Sequence, residues 1–353
     1  MATRDPLGRA VTVSYTAMDE VAEVFDRLGR RTSFTYDVLN RPSQVVYADA
    51  TVTHTFDAAG RMTRVDDTQS GFVQWSYDDA NRIVSETTPN GSVNYAFNIA
   101  SQRTSMTAAS RPVVNYGYDA AGRLRTITQG AEIFTYAYDA LSRRSSLQRP
   151  NGVTTSYSYD QVSRLTRLLH SNSQGQAVEY LSYTYDLEDE INSITSLFSG
   201  QLLASAKTAS TADAANRITQ FGGASFTFDS MGQTTTKSEV AGTTTYEWDA
   251  RGRLTRANLP GGQQVSYGYD ALGRRANRTS SGVITGFLYD GLDVVLDQGS
   301  SGLTDYINGA GIDEKLRQSS AAGSMYFVQD HLGTTGGRCP KSRVFVSFRN
   351  GPS

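Results

Sequence analysis

Aromatic residues alternate with small polar residues at intervals along this chain, and an aspartate follows each alternation. The unit reads aromatic–x–aromatic–Asp–x–x–x–Arg, as in FTYDVLNR (34–41) and YGYDALGR (267–274). Side chains of a strand point alternately to its two faces, so the unit predicts a strand with both aromatic rings on one face. The predicted pairs are Phe34/Tyr36, Trp75/Tyr77, Tyr95/Phe97, Tyr116/Tyr118, Tyr136/Tyr138, Tyr157/Tyr159, Tyr183/Tyr185, Phe226/Phe228, Tyr246/Trp248, Tyr267/Tyr269 and Phe287/Tyr289, with His54/Phe56 as a weaker copy.

The spacing of the unit is nearly constant. Its aspartate, or the residue in the same place, recurs every 20 or 21 residues from 37 to 160 and again from 229 to 290. Between 160 and 229 the spacing is irregular. The length of 353 residues alone would suggest two or three domains of about 150 residues, but a constant internal period predicts one repeat array.

The Asp–x–x–x–Arg part of the unit predicts a tight turn. Asp side chains bond nearby backbone N–H groups, and the Gly or Asn before the Arg tolerates a positive φ. The same spacing would suit a helical salt bridge, but the flanking alternation has a period of two. We expect each Arg to fold back as a planar clamp on its own Asp or on that of the next copy. Eleven copies begin at residues 5, 26, 37, 57, 78, 119, 139, 160, 213, 249 and 270, whereas Asn98 and Gln233 break the motif.

These patterns predict an all-β fold, an array of antiparallel hairpins that forms one continuous curved sheet from about 5 to 333. Neighbouring strands would stack the aromatic residues in ladders. Residues 187–212 are expected to be an irregular connection, and 334–353 a poorly ordered tail. The array is expected to be an open arc, whose end strands would be unpaired.

Composition excludes several classes of partner and site. The chain has 33 Lys and Arg against 35 Asp and Glu, which argues against nucleic acid or an anionic membrane as the main partner. Its single Cys excludes an intramolecular disulfide framework. No apolar run approaches the roughly 18 residues of a membrane span, and the start of the chain has no signal-peptide core.

Candidate reactive residues are few. Asp330–His331 could act as an acid–base pair, but a loop dipeptide is the preferred interpretation. His54 is expected to pack in its aromatic-pair position, and His170 to be solvated in a Ser/Asn/Gln-rich loop. The acidic run 186–190 is the least implausible cation site, although a solvated turn is preferred.

Cys339 lies among basic residues that could lower the pKa of its thiol. The sequence therefore assigns no catalytic, cofactor-binding or metal-binding residue and predicts no cofactor. Rows of Tyr and Trp beside Asp, Asn and Arg also resemble sugar-binding surfaces. Whether the aromatic face is buried or open stays undecided at this point.

Together with the other copies of the unit, the segment YDALGRR (269–275) resembles the RHS-repeat family, also called YD repeats. The resemblance extends from about 5 to 333. YFVQDHLGTTG (326–336) is similar to the DHLG element of the RHS core, and LYDGLDVV (288–295) with YINGAGIDEKL (306–316) is similar to the approach to it. Residues 290–333 would then be the start of a core-like segment.

This resemblance implies a sheet that spirals into a hollow shell, which in bacterial members often encloses a variable C-terminal toxin domain. In teneurins a related shell takes part in adhesion, and older descriptions of the repeats suggest carbohydrate binding. The family's further repeats, Tyr-rich arginine motif and cleavage aspartates have no match in residues 337–353. We interpret this as a frameshift or truncation near 334–338, with a genuine short strand at 344–348 as the alternative.

The preferred hypothesis is a non-catalytic part of an RHS-type shell that encloses or displays a polymorphic effector domain absent from this chain. Its partner would be that toxin or effector domain, or a component of the cell envelope or secretion machinery. The alternative is a cell-surface adhesion module that binds glycans. Either hypothesis predicts a secreted or cell-surface protein that does not insert into the membrane and does not bind nucleic acid.

Overall fold

The computed structural model describes residues 1–197, 210–300, 302–311 and 314–329, together with the backbone of 335–340. This part of the chain contains 33 β-strands, one short 3-10 turn at Pro260–Gly262 and no α-helix. The paired strands run antiparallel, as in the pairing of Gln74–Tyr77 with Ile83–Thr87. The prediction of an all-β fold of antiparallel hairpins is therefore confirmed.

The strands are short and follow one another closely along the chain. The first nineteen are β1 (Ala2–Arg4), β2 (Ala10–Tyr15), β3 (Val21–Phe25), β4 (Arg31–Tyr36), β5 (Pro42–Val46), β6 (Thr51–Phe56), β7 (Met62–Asp67), β8 (Gly71–Tyr77), β9 (Ile83–Thr88), β10 (Gly91–Phe97), β11 (Arg103–Ala108), β12 (Val114–Tyr118), β13 (Leu124–Gln129), β14 (Glu132–Tyr138), β15 (Arg144–Gln148), β16 (Thr154–Tyr159), β17 (Leu165–Ser171), β18 (Ala177–Tyr185) and β19 (Ile191–Ser196). The others are β20 (Ser210–Ala212), β21 (Ile218–Phe221), β22 (Ala224–Phe228), β23 (Thr234–Glu239), β24 (Gly242–Trp248), β25 (Leu254–Asn258), β26 (Gln264–Tyr269), β27 (Arg275–Ser280), β28 (Val283–Asp290), β29 (Asp293–Gly299), β30 (Gly302–Asn308), β31 (Lys315–Ser320), β32 (Gly323–Gln329) and β33 (Thr335–Pro340).

Among the described residues the strands form two sheets, one of 19 strands (β1–β19) and one of 14 (β20–β33). The prediction of one continuous sheet is wrong for this part of the chain. The change of sheet falls between β19 and β20, inside the stretch where the repeat spacing is irregular. Residues 198–209 of that stretch lie outside the described residues.

Two of the predicted boundaries differ from the observed strands. Within the predicted irregular connection, β19 pairs in regular register with β18. Beyond the predicted end of the array, the backbone of β33 pairs with β32, so pairing continues past residue 333. The alternative strand at 344–348 lies outside the described residues.

The chain divides into two compact units, Met1–Ser92 with Ala204–Phe287 and Val93–Leu203 with Leu288–Ser353. In the first unit, the core cluster is Val52, Val65, Val73 and Trp75. The second unit has a larger core, in which residues of β10–β15 pack with residues of β28–β32. Its members are Val93, Met106, Ala108, Val114, Ile127, Phe134, Tyr136, Leu147, Leu288, Val295, Leu296, Ile307, Leu316 and Tyr326.

In most pairs the aromatic residues occupy the less exposed face of their strand; in the Phe287/Tyr289 pair it is the residue between the rings, Leu288, that is buried. Every paired aromatic residue is buried or half-buried, and in most pairs the residue between the two rings is exposed, as with Thr35, Ser76 and Ala137. The prediction that the two rings share one face is confirmed. The sequence left open whether that face is buried, and the structure shows that these rings are not an exposed stripe.

Direct ladders of aromatic rings on neighbouring strands do not form at these positions. The register places a non-aromatic residue opposite the first ring of a pair, as in Tyr136 opposite Leu147, Tyr157 opposite Leu168 and Trp75 opposite Glu86. Strands with aromatic pairs alternate with strands that lack them, so successive pairs are about 10 Å apart. The expectation of stacked aromatic ladders is corrected accordingly.

Candidate functional site

Each Asp turn closes with the same backbone hydrogen bonds. In the turn at 57–61, the Asp57 N–H donates to the Arg61 carbonyl at 2.9 Å, and the Gly60 N–H donates to the Asp57 carbonyl at 3.0 Å. Gly60 has a φ of 81°, which a glycine adopts without strain. A tight turn followed by one left-handed residue is a common hairpin connection. The predicted turn is therefore confirmed.

The aspartate side chain organises the turn from within. The Asp57 Oδ1 accepts the N–H groups of Ala59 and Arg61 at 2.9 Å, and its Oδ2 accepts the Arg61 Nε at 2.7 Å. The hydrogen bond from Arg61 holds the pKa of the Asp57 carboxyl below its usual value. All eleven predicted Asp–Arg pairs form such ion pairs at 2.6 or 2.7 Å, beginning at residues 5, 26, 37, 57, 78, 119, 139, 160, 213, 249 and 270.

The same Arg also contacts the next repeat. The Arg61 guanidinium lies 4.7 Å from the centre of the Tyr77 ring, and its Nη1 donates to Asn81 Oδ1 at 2.8 Å and to the Asp78 carbonyl at 3.3 Å. A guanidinium over an aromatic face is attracted by the ring quadrupole. Equivalent contacts join Arg41 to Phe56, Arg123 to Tyr138, Arg143 to Tyr159, Arg164 to Tyr185, Arg217 to Phe228 and Arg253 to Tyr269.

The second aromatic residue of a pair is tied to the preceding repeat by its hydroxyl. The Tyr77 hydroxyl donates to the Met62 carbonyl at 2.6 Å, and the Tyr138 hydroxyl donates to the Leu124 carbonyl at 2.7 Å. Met62 and Leu124 each begin the strand that follows the preceding Asp turn. Where the second aromatic residue is a Tyr, its ring and hydroxyl together therefore couple the repeat to the one before it.

The turn residue with positive φ has a second role in several copies. Ser142 and Ser163 have φ values of 63° and 70°, a region that is unfavourable for a residue with a Cβ. Their hydroxyls accept hydrogen bonds at 3.1 Å from Arg123 and Arg143 of the preceding turns. These bonds offset the backbone strain and explain why Ser replaces Gly at this position.

Two turns use amides in place of the Asp–Arg pair. Asn98, which breaks the sequence motif, accepts the Gln102 N–H at 3.0 Å and donates from Nδ2 to Gln102 Oε1 at 2.8 Å. Asn172 and Gln176 form the same arrangement, which the sequence analysis missed because no aromatic pair precedes it. The signal was the Asn–x–x–Gly–Gln spacing within residues 172–176.

Charged residues between distant strands form a second set of contacts, which the sequence analysis did not identify. In the second unit, Arg103 pairs with Asp290 at 2.5 Å and Arg144 pairs with Glu314. Arg103 lies 4.6 Å from the centre of the Tyr116 ring. Burial raises the pKa of Tyr116 to about 12, so its hydroxyl stays protonated at neutral pH.

Arg317 is the centre of the most buried of these networks. Its guanidinium donates to Glu132, Gln129 and Asp305, and its side chain is 4% exposed. The Tyr326 hydroxyl donates to the same Glu132 carboxylate at 2.8 Å. Burial alone would raise the pKa of Glu132, but the hydrogen bonds from Arg317 and Tyr326 hold it below its usual value.

The first unit has smaller networks of the same kind. Arg274 pairs with its own Asp270 and with Glu86, both at 2.7 Å. The Trp75 Nε1 donates to the other oxygen of Glu86 at 2.9 Å, so a paired aromatic residue is part of the network. These contacts again hold strands together, and the four residues of the network are all buried.

His54 and His170 have different environments. His54 lies in β6 at the aromatic position, half-buried, as predicted. The prediction for His170 is wrong, because it lies in β17 with 2% exposure, and the Ser/Asn/Gln-rich turn begins only after it. Burial and the nearby charge of Arg149 lower the pKa of His170 to about 3.

The acidic run 186–190 forms a solvated turn, as preferred. The Asp186 carboxylate accepts the N–H groups of Glu188 and Glu190, and Asp189 pairs with Arg164 at 2.6 Å. Across the described part of the chain, no three His, Cys, Asp or Glu side chains converge as a metal site would require. The Asp330–His331 pair and the side chain of Cys339 lie outside the described residues.

Comparison with known families identifies the family of this chain. The sequence model of the teneurin YD-shell family matches residues 10–155 and 135–294. The chain belongs to the teneurin YD-shell family. The predicted resemblance to RHS or YD repeats is thereby confirmed, and the array described above is that of a structural shell family. Among the residues that the structure describes, no helix is long and apolar enough to span a membrane.

Solved structures with the same fold are parts of larger assemblies. A crystal structure of TcdB2–TccC3–TEV matches with a TM-score of 0.67 and 14% identity, over 95% of this chain and 23% of that one. The structure of the Photorhabdus luminescens Tc holotoxin pore matches with a TM-score of 0.59 and 14% identity, over 96% of this chain and 26% of that one.

A curated relative matches a shorter stretch. The tRNA nuclease WapA of Bacillus subtilis (strain 168) is 30% identical over 114 residues, which are 31% of this chain and 4% of that protein. A tRNA3(Ser)-specific nuclease WapA of Bacillus spizizenii matches over the same length with the same identity. The match spans a small part of each nuclease, so it indicates shared repeats and not a shared activity.

Proposed function

We propose that this chain is a non-catalytic wall segment of an RHS-type shell that encloses or displays a polymorphic effector domain. One observation carries the proposal: the chemically distinctive side chains of the repeats are used to join the repeats to one another. The Asp–Arg pairs close the turns, each Arg covers the next ring, and the Tyr hydroxyls bond to neighbouring backbone. A surface built this way serves as a wall.

The similar proteins are consistent with this role. One is a Tc holotoxin pore and another is a tRNA nuclease, and both are much longer than the matched stretch. By the same reasoning, the partner of this chain would be an effector domain or a component that delivers it. The protein would act outside the cell or at its surface.

The alternative, a glycan-binding adhesion module, has less support from the geometry. Sugar stacking needs exposed rings, and the paired rings are buried or half-buried. Among the described residues, exposed aromatic side chains outside the pairs are Tyr15, Phe25 and Phe221, at 46%, 40% and 44% exposure. Glycan-array binding that is lost in a Tyr15→Ala variant would favour the alternative.

Enclosure can be tested by protease protection. A protease-sensitive reporter domain is fused behind residue 353, and its cleavage rate is compared with that of the free reporter. Slower cleavage on the array, restored to the free rate by Arg144→Ala with Arg317→Ala, is expected for a shell. Equal rates on the array and in solution would contradict enclosure, and degradation of tRNA by the purified chain would contradict a non-catalytic role.

A further inference from the structure

Two buried side chains bond to the backbone near the end of β32. One comes from β17 and the other from the turn between β15 and β16. The Arg149 Nε donates to the Phe327 carbonyl at 2.9 Å. The His170 ring is hydrogen-bonded to the backbone of Gln329, and this bond raises the pKa of His170. A bond that favours the protonated ring has the ring N–H as donor, so the Gln329 carbonyl is the acceptor. Arg149 and His170 are 4% and 2% exposed.

A third residue joins these two anchors. The Thr155 Oγ1 lies 2.7 Å from Arg149 Nη1 and 2.8 Å from His170 Nδ1. Because His170 donates to Gln329 from its other nitrogen, Nδ1 must be the acceptor, and the Thr155 hydroxyl donates to it while accepting from Arg149. Thr155 is 1% exposed, so water does not compete for these bonds.

We propose that Arg149, Thr155 and His170 form a latch on β32 that opens when His170 takes up a proton. A protonated ring carries hydrogens on both nitrogens, so the Thr155 hydroxyl can no longer donate to Nδ1. It also places a second positive charge beside Arg149 in a buried site. Opening would free the backbone of Phe327 and Gln329 at the end of β32 from both side chains. This inference does not depend on whether the array encloses an effector.

The direction of the pH effect follows from proton linkage. In the closed state, burial and Arg149 lower the pKa of His170 to about 3, whereas an exposed histidine has a pKa of about 6.5. At pH values between these two pKa values, opening takes up a proton, so each unit of falling pH favours the open state by up to about tenfold.

Two other ionisable groups lie close to His170. Glu179 is paired directly with His170 across β17 and β18 and is 2% exposed. Its Oε1 accepts the N–H groups of Tyr180 and Leu197 at 2.8 and 3.0 Å, so this oxygen is engaged with backbone. Arg149 is the charged group on the other side, and β32 contributes no ionisable side chain between 327 and 329.

Hydrogen exchange of the intact chain tests the latch. At pH 4.5 compared with pH 6.5, and after correction for intrinsic rates, amides of 326–329 should exchange about fiftyfold faster, because the open-state ring is already half protonated at pH 6.5. Amides of β13 and β14 should be unaffected. A wild-type ratio at 326–329 equal to that of β13 and β14 would overturn the proposal.

Two variants assign the effect to His170. His170→Gln keeps a donor and an acceptor but does not titrate, so it should abolish the pH dependence at 326–329. His54→Gln, which changes the half-buried histidine of the first unit, should retain it. If His170→Gln shows the same pH-dependent change in exchange as the wild type, the latch is assigned wrongly. If His170→Gln does not fold, the protonation of the wild-type imidazole is followed by NMR as the pH is lowered. A ring that is already charged at pH 5 in the folded protein would contradict the mechanism.

Discussion

The repeats of β11–β18 and the later strands β29–β32 belong to the same unit but are stabilised in different ways. In the repeats, Asp and Arg are four residues apart and the pattern recurs at every turn, as at 139–143 and 160–164. In the later strands the partners are 170 to 194 residues apart and the pattern does not recur. Recurring local pairs set the register of neighbouring strands, whereas long-range pairs select which distant strands pack together.

Burial differs between the two kinds of pair. The Arg143 and Asp139 side chains are 24% and 26% exposed, and those of the long-range pair Arg317 and Glu132 are 4% and 16% exposed. An exposed ion pair contributes little by itself, but removing one partner of a buried pair leaves an uncompensated charge. The repeats therefore gain stability from the number of turns, and the later strands from a few contacts.

The largest effect is expected from Arg317→Ala. This change leaves Glu132 without its cation and Asp305 with Arg111 alone, and should lower the free energy of unfolding by about 3–5 kcal/mol. Arg143→Ala is the matched control in the repeats and should cause a clearly smaller loss. Urea denaturation followed by circular dichroism measures both, and equal losses would remove the distinction between the two regions.

A smaller effect separates the two rings of a single pair. Tyr138→Phe removes the hydrogen bond to the Leu124 carbonyl and should reduce the free energy of unfolding by about 1 kcal/mol. Tyr136→Phe should cause no loss, because the Tyr136 hydroxyl is buried without a partner among the described residues. The same urea experiment applies, and a greater loss for Tyr136→Phe would contradict the assigned roles.

The smallest effect concerns acid. The hydrogen bond from Arg61 lowers the pKa of Asp57, so the stability it adds is fully present above the unfolded value of about 3.8 and is lost as the pH falls through the folded value. The difference in urea midpoint between wild type and Asp57→Asn should be constant from pH 7 to 5 and shrink below pH 4. A difference that does not change with pH would show that the carboxylate charge is unimportant.

The sequence was sufficient for features that follow local rules. The eleven Asp–Arg turns, the shared face of the aromatic pairs and the antiparallel hairpins each depend on residues within one repeat. The Ser142 hydroxyl could not be assigned a partner, because its Arg comes from the preceding turn.

Contacts between distant strands were not predictable in the same way. Nothing in the sequence connects Arg317 with Glu132, or Glu86 with Arg274, since neither pair recurs. His170 was misassigned because the polar composition of the turn at 172–176 was extended backward into β17. Its burial depends on β32, which follows it by more than 150 residues.

The central claim is that the aromatic face belongs to the interior of the wall. Hydroxyl-radical footprinting of the intact chain tests it directly, with mass spectrometry of individual rings. The account predicts severalfold slower modification of Tyr136 and Tyr183, at 2% and 4% exposure, than of Tyr15 at 46%. Modification of Tyr136 and Tyr183 as fast as that of Tyr15 would show an open aromatic face and contradict the account.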